Sequence, residues 1–416
     1  MAALTSKGSV STCRALLEAS LEDGSSAAAC VHTAALLLKA GDCAAAKQHY
    51  ERALDADPSS RQAHAGLYYA FTGMGDRHSA AIHLGHALQL QAIVALPWRG
   101  TGTPVSVLLL QSINAGNVLI QRFLDNRVFE AHILLVEFYQ DGMPLPPHQV
   151  VINAIGDADV RVDALAVAQS VLAKTDAPVI NPPATVLATG RCENARRLAE
   201  ISGVVTPLAL AFPRQSLASD DAAAMLATDG LEFPLLIRAP GYHMGQHFLE
   251  VEDSSGLAAA LTELPGEELI VMQYLNSRGV DGKARKYRVL TIDGQLYPVH
   301  LAISSHWKVH YFSAEMAENP EYRAEEEEFL NDMAGALGRE TMAALERIQA
   351  ALGLDYGGID FGLNEHGEIL LFEANATMAV YRPDANTQWD YRRAAIERIY
   401  EAVHRLLIAR ARAAIV

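Results

Sequence analysis

Asp360, Glu373 and Asn375 place three oxygen donors in one short stretch, Gly357-Gly-Ile-Asp-Phe-Gly-Leu-Asn-Glu-His-Gly-Glu-Ile-Leu-Leu-Phe-Glu-Ala-Asn375. Two carboxylates and an amide oxygen suit a hard cation such as Mg2+, which keeps several waters and shares its remaining positions with substrate phosphates. For the three to meet, the stretch must fold as a hairpin. Strands are expected over Gly357 to Leu363 and Glu368 to Asn375, joined by the turn residues Asn364-Glu-His-Gly367. If Leu363 pairs with Glu368, Asp360 lies opposite Leu371, and side-chain alternation puts Glu373 and Asn375 on the same face.

Other residue groups fit phosphate or substrate. The basic cluster Lys283-Ala-Arg-Lys-Tyr-Arg288 enters an expected strand over Val289 to Ile292. Lys286 and Arg288 share a face there, where cations are placed to meet phosphate oxygens. Ala239-Pro-Gly-Tyr-His-Met-Gly-Gln246 separates a short strand, Phe233 to Arg238, from another, His247 to Val251. Gly241 and Gly245 would let backbone amides in that loop approach a phosphate. Tyr297 to Tyr311 is dense in histidine and aromatic residues. His300, His306 and His310 do not have a zinc spacing, and Lys308 is the residue expected to touch a substrate carboxylate. The run Glu325 to Glu328 opens a helix, where the macrodipole favours it, and is read as solvated surface.

The elements that position these groups follow from pattern. At 416 residues, 50% hydrophobic and 20% charged, the chain is expected to be soluble and multidomain. A formal net charge of −16 argues against a general nucleic-acid or anionic-membrane role, since both need a basic footprint. No signal peptide or spanning run is recognisable, so the cytoplasm is expected. Cys13, Cys30, Cys43 and Cys192 lack C-x-x-C spacing and are read as reduced thiols.

Gly41-Asp42, Ala46 and Ala53 recur as Gly75-Asp76, Ala80 and Ala87, each displaced by 34 residues. This period resembles tetratricopeptide repeats, with two units over about Ala27 to Gln91 and a further degenerate helix at Cys13 to Glu22. Small residues at helix crossings allow close packing, and Pro58 stops the second helix. After the glycine- and proline-rich segment Leu96 to Pro104, strands and helices alternate: Val105 to Leu110, a helix over Asn114 to Leu124, Ala131 to Glu137, Gln149 to Ala154 and a helix over Val162 to Lys174. Continuous apolar strands between helices imply a covered parallel sheet. The last helix, about Thr387 to Arg412, repeats apolar residues at Ile396, Ile399, Tyr400, Val403, Leu406 and Leu407.

Taken in order, Phe233-Pro-Leu-Leu-Ile-Arg238, Glu268-Leu-Ile-Val-Met-Gln-Tyr-Leu275, Lys286-Tyr-Arg-Val-Leu-Thr-Ile-Asp-Gly294, Gly357-Gly-Ile-Asp-Phe-Gly362 and Leu370-Leu-Phe-Glu-Ala-Asn375 resemble the ATP-grasp superfamily from about Val105 to the C-terminus. The resemblance implies an α/β fold, with an α+β ATP-grasp catalytic unit behind an N-terminal all-α helical module. The implied segments are 1–95 (helical repeats), 104–185 (preceding α/β domain), 186–274 (small lid subdomain) and 275–416 (catalytic subdomain). It also implies ATP and Mg2+, with two ions expected and Mn2+ as an alternative. Asp360, Glu373 and Asn375 would bind the metals, Glu373 bridging them. Arg288 would contact phosphate or an acyl phosphate, while Gln273, Tyr274 and Leu275 match the hinge that reads adenine. Arg238 and Arg191 stand where the family has phosphate-binding lysines; arginine keeps the charge but is planar and bulkier. Asp281 would reach the ribose.

The chemistry implied is activation of a carboxylate as an acyl phosphate and its capture by an amine, on a peptide or an amino-acid-like molecule. The alternatives are a small-molecule kinase and a non-catalytic ATP-binding regulator with a repeat-based protein-binding surface. The helical module either captures a peptide or serves as a structural or dimerising appendage.

Overall fold

The computed structural model describes residues 27–88, 92–113, 116–240, 245–309 and 314–413. The sequence expectations at Cys13 to Glu22, Gly241 and His310 fall outside them. The chain divides into two compact units: the first runs to Val94 and includes the stretches 112–115 and 134–144, and the second takes the rest.

Among the described residues the first unit holds four α-helices, α1 (Ala27–Lys39), α2 (Cys43–Ala56), α3 (Arg61–Gly73) and α4 (Arg77–Leu88). The 34-residue recurrence has a structural counterpart at each position. Gly41 and Gly75 both adopt positive φ, +83° and +80°, where a side chain would be strained. The next residues cap the following helices: Asp42 Oδ1 accepts from the Ala45 amide and Asp76 Oδ1 from the Ser79 amide, both at 3.0 Å. Ala46, Ala53, Ala80 and Ala87 are buried. Small residues are needed because the helices approach closely: a Cβ on Gly66 would stand 2.0 Å from Cζ of the buried Tyr50.

Among its described residues the second unit contains three sheets. The first includes β1 (Val105–Gln111), β2 (Phe129–Leu135), β3 (Val150–Asn153) and β4 (Val179–Ile180), in the order β2-β1-β3-β4. The pairs β1/β3 and β3/β4 are parallel, as the apolar runs imply, and α5 (Val162–Leu172) follows β3. Of the helix expected over Asn114 to Leu124, the described residues from 116 onward form only a 3-10 turn at Ile120–Phe123. Asn117 forms a bridge with Ile155, and the Val118 amide donates to Ala154 at 2.8 Å, so backbone groups that a helix would use internally are committed to the sheet edge.

Next come α6 (Arg191–Leu198), β5 (Val204–Val205), β6 (Ala209–Pro213), β7 (Leu235–Arg238), β8 (Phe248–Val251) and β9 (Glu268–Gln273). Strands β6 to β9 make an antiparallel sheet in the order β6-β9-β7-β8. It has its own core around Leu226, Leu235, Ile237, Leu269 and Val271. The third sheet uses β10 (Ala284–Ile292), β11 (Gln295–Ser304), β12 (Tyr356–Leu363) and β13 (Ile369–Asn375), with the helices α7 (Pro320–Asn331) and α8 (Met333–Leu352) between β11 and β12. Its order is β11-β10-β12-β13-β5.

The last helix, α9, spans Arg393–Ala413. The six apolar residues read from its periodicity lie in one core with Val107, Leu109 and Ile152 of the first sheet and Leu290 and Ile292 of the third. No described helix is long and apolar enough to cross a membrane.

Replacing Gly66 by alanine tests the helical packing. Alanine adds about 1 kcal/mol of helix propensity, but forcing a methyl into the Tyr50 ring costs about 1–3 kcal/mol. The net expectation is a lower melting temperature; a rise would show that Tyr50 moves aside freely.

Candidate functional site

The third sheet aligns one chemical group from each of four adjacent strands. His300 of β11 pairs with Arg288 of β10, Arg288 with Asp360 of β12, and Asp360 with Glu373 of β13. Directly opposed residues share a face, so the four form a row across the sheet. A β-bulge interrupts the pairing at each flank of this row, between Arg288 and Val289 on one side and between Asp360 and Phe361 on the other.

The second bulge corrects the expected hairpin register. Leu363 pairs with Ile369, not with Glu368, and an unbroken ladder from that pair would set Asp360 opposite Phe372 on the wrong face. The extra residue at Phe372 restores Glu373 to the position opposite Asp360. Close approach also requires glycines here: a Cβ on Gly358 would lie 2.4 Å from Met378 Cγ, and one on Gly362 2.5 Å from Ser277 Cβ.

Asp360 is 0% exposed. Its Oδ1 accepts from Arg288 Nε at 2.6 Å and its Oδ2 from Arg288 Nη2 at 2.7 Å, while Lys286 Nζ lies 2.6 Å from Oδ2. Burial opposes ionisation of the carboxyl, but the charges of Arg288 and Lys286 outweigh it and hold its pKa well below the ordinary range. Glu373 repeats the pattern: burial raises and Arg191 lowers, with the net shift downward. Arg191 Nη2 donates to Glu373 Oε1 at 2.8 Å. Arg238 is pushed down to about 10 by burial and by Arg191, and remains charged at neutral pH. His300 is pushed well below its ordinary value by burial and by Arg288, so it is uncharged.

Arg191, Arg238, Lys286, Arg288, His300 and Glu373 line a cavity of about 380 Å³ between the second and third sheets, and Asp360 is not part of its wall. The expected residues Arg191, Arg238, Gly245, Gln273, Tyr274, Leu275, Arg288, Lys308 and Glu373 all contribute to its wall. Phe248 and Trp307 were not singled out, although Trp307 lies in the aromatic-rich segment; their rings pack edge-on, 5.5 Å apart. Lys308 donates to the Phe248 carbonyl at 2.9 Å, which ties it to the glycine-loop hairpin. Lys286, expected at phosphate oxygens, also lines the cavity and bonds Asp360.

Asp281 is placed elsewhere. It accepts from Arg285 at 2.9 and 3.0 Å, is pushed down to about 2 mainly by that hydrogen bond, and lines neither cavity. The acidic run is not uniformly solvated: Glu326 is 0% exposed and bonds Arg392 at 2.6 Å, and Glu325 bonds Arg285 at 2.6 Å.

Two carboxylates and an amide oxygen are the kinds of donor a hard cation takes, but Asn375 Oδ1 accepts from Thr377 N and Oγ1 at 2.9 and 2.8 Å. Glu373 and Asn375 both line a smaller cavity of about 50 Å³, and Asn375 Nδ2 donates to Glu373 Oε1 at 2.9 Å. Asp360, opposite Glu373 in the sheet, is bonded to two cations, so it would join a metal only if Arg288 and Lys286 moved to other anions. Among the described residues no group of three His, Cys, Asp or Glu is gathered to hold a metal.

By sequence, the chain matches no family model and no curated protein. By structure it is similar to the VanG D-Ala:D-Ser ligase from Enterococcus faecalis, at 14% identity and a TM-score of 0.45, over 74% of this chain and 100% of that one. It is similar to a D-alanine–D-alanine ligase from Bacillus anthracis complexed with ATP, at 14% identity and a TM-score of 0.47, over 75% and 99%. It is also similar to the ATP-grasp ligase PsnB complexed with precursor peptide PsnA2 and AMPPNP, at 14% identity and a TM-score of 0.42, over 75% and 100%. PsnB belongs to the superfamily that the sequence motifs resemble. Likeness at this level assigns no activity, and the functional reading rests on the site.

The buried charge group sets an acid-side dependence. The folded-state pKa of Asp360 is depressed, so its stabilisation is complete above the unfolded value of about 4 and is lost as pH falls below it. Asp360→Asn leaves Arg288 and Lys286 without their counter-ion, at a cost of about 3–5 kcal/mol near neutral pH. Melting curves of the two proteins should converge as the pH drops below about 4. A gap that stays constant into acid would contradict the charge account.

Proposed function

We propose that this chain is an ADP-forming ATP-grasp ligase that phosphorylates a carboxylate and joins the resulting acyl group to an amine. The observation that carries this reading is the charge arrangement on one wall. Arg288, Lys286 and Arg191 bond two carboxylates, Asp360 and Glu373, and Arg238 adds a further positive charge to the same cavity. Such a set suits a polyphosphate, whose negative charge it can spread and hold.

The nucleotide would lie along the cavity, its adenine against the backbone of Gln273 to Leu275 and its phosphates toward Arg238, Arg191, Lys286 and Arg288. Glu373 and Asn375 would hold Mg2+, which supplies Lewis-acid neutralisation of the phosphate oxygens when bound. A substrate carboxylate oxygen attacks the γ-phosphorus, the bond to the β,γ-bridging oxygen breaks, and ADP leaves. Arg288 stabilises the charge that spreads over the moving phosphoryl group. An amine nitrogen then attacks the acyl carbon, loses a proton, and expels inorganic phosphate to form the amide. Water must be kept from the acyl phosphate. Closure of the hairpin carrying Gly245 and Phe248, to which Lys308 is tied, would do this.

ADP release should therefore require ATP, Mg2+ and an acceptor, with a product mass equal to donor plus acceptor minus water. A phosphorylated product without condensation would indicate a kinase. Glu373→Ala should cut turnover by more than the roughly 10–100-fold that loss of an outer-shell metal partner costs, without unfolding the protein. Undiminished ADP release by that variant would remove the metal assignment. ATP with Mg2+ should also raise the melting temperature, by the equivalent of about 2.7 kcal/mol at a hundredfold excess over Kd, and GTP should do so less. Equal shifts would contradict adenine reading by the Gln273 to Leu275 backbone.

A further inference from the structure

The charged row through Arg288 and Asp360 divides its face of the third sheet into two unlike halves. Along β12, Gly362, Asp360 and Gly358 share that face, because alternate residues of a strand point the same way. On one side of the row, Ser277 fills the space above Gly362; it lies two residues beyond the Gln273 to Leu275 segment, and Lys286 adds a charge there. On the other side, Met378 fills the space above Gly358 and meets Leu290. Leu290 stands two residues after Arg288 on β10, as Lys286 stands two before it, and pairs with Gly358. The face therefore changes from charged to apolar as it crosses the row.

The β11 bulge extends the apolar half. An unbroken strand would turn Val299 and His300 to opposite faces, but Val299 is the extra residue between the Arg288–His300 and Val289–Pro298 pairs, and both line the cavity. Ile396 of α9 lines it too, and Val299, Met378 and Ile396 are buried in one core cluster with Leu290. The bordering charges are already met. Burial and Arg288 keep His300 uncharged, and Arg392 donates to the buried Glu326 at 2.6 Å. Among the described residues of the cavity wall Glu373 is the one carboxylate, and it accepts from Arg191 and Asn375. An ammonium group has no anion to meet beside Val299, Met378 and Ile396, and a second carboxylate would lose its water against hydrocarbon.

We propose that this half of the cavity takes the acyl donor as a monocarboxylic acid with a short hydrocarbon body and no ammonium group. Its chain lies against Val299, Met378 and Ile396, and its carboxyl end points toward the phosphates. The role of donor rests on the ligase reading; the preference of the pocket for such an acid does not.

The test uses the full chain with Mg2+, with and without AMPPNP, titrated with acetate, propionate, butyrate, 2-aminobutyrate and succinate and followed by ligand-observed NMR and thermal unfolding. Affinity should rise about fourfold with each methylene from acetate to butyrate, the value of one buried CH2. Butyrate should bind at least about tenfold more tightly than 2-aminobutyrate or succinate, which have as many carbons and one more charge. Met378→Ala and Val299→Ala each enlarge the pocket, so either variant, once shown to be folded, should shift the preference from butyrate toward hexanoate. No binding, flat affinity from acetate to butyrate, a preference for 2-aminobutyrate or succinate, or folded variants that keep the wild-type chain-length profile overturns the proposal. If neither variant folds, the wild-type series decides alone. The ligase reading is judged separately, with ATP and with hydroxylamine in place of the acceptor. Its nitrogen attacks the acyl carbon of the acyl phosphate, loses a proton and expels inorganic phosphate, leaving a hydroxamate. Butyrohydroxamate formed together with ADP supports both readings. Affinity that climbs with chain length, without ADP release or hydroxamate from any of the acids, overturns the ligase reading alone.

Discussion

The site depends on one buried carboxylate. Removing Asp360 from water is costly, and the cost is offset only because Arg288 meets it with two hydrogen bonds and Lys286 adds a second charge. All three come from adjacent strands, so the sheet must hold Arg288 opposite Asp360 and Lys286 two residues away on the same face. That requirement explains why the local irregularities sit where they do. The bulges flank the row, leaving the β10/β12 register between them unbroken, and the glycines of β12 clear space for Met378 and Ser277 to close over it.

Much of this was legible in residue order. Alternation alone put Asp360, Glu373 and Asn375 on one face of their hairpin and Lys286 with Arg288 on one face of theirs, and the pairing of Arg288 with Asp360 makes these the same face of the sheet. The convergence was reached through the wrong register, however. A two-residue pairing rule has no way to see the extra residue at Phe372, because a bulge is favoured by the three-dimensional fit of a neighbouring strand and not by the identity of the bulged residue. The 34-residue period was clearer, since each recurrence fixes a local device: a positive-φ glycine, an aspartate cap or a small residue at a crossing.

Long-range partners were the illegible part. Glu326 sits in a run of four glutamates that reads as solvated, yet it is buried because Arg392, 66 positions away, lies against it. Asp281 shows the opposite case. The family resemblance implied a ribose contact, but Arg285, four residues on, engages both its oxygens, and a short-range ion pair needs no help from the fold. The helix expected after β1 failed for a related reason: propensity was overridden by backbone bonds from Asn117 and Val118 to the strand-end residues Ala154 and Ile155.

The internal neutralisation of the site has a consequence for the proposed reaction. Arg288 and Lys286 engage Asp360, and Arg191 engages Glu373, so an incoming triphosphate must compete with protein carboxylates for the same cations. Each guanidinium that turns toward phosphate leaves a carboxylate in need of a new partner, and a divalent cation is the natural replacement. Phosphate and metal would then be held cooperatively: the metal binds poorly while the cations occupy the carboxylates, and the phosphates bind poorly while the carboxylates occupy the cations. An exchange of ion pairs of this kind keeps the carboxylates Asp360 and Glu373 compensated both without ligands and with them.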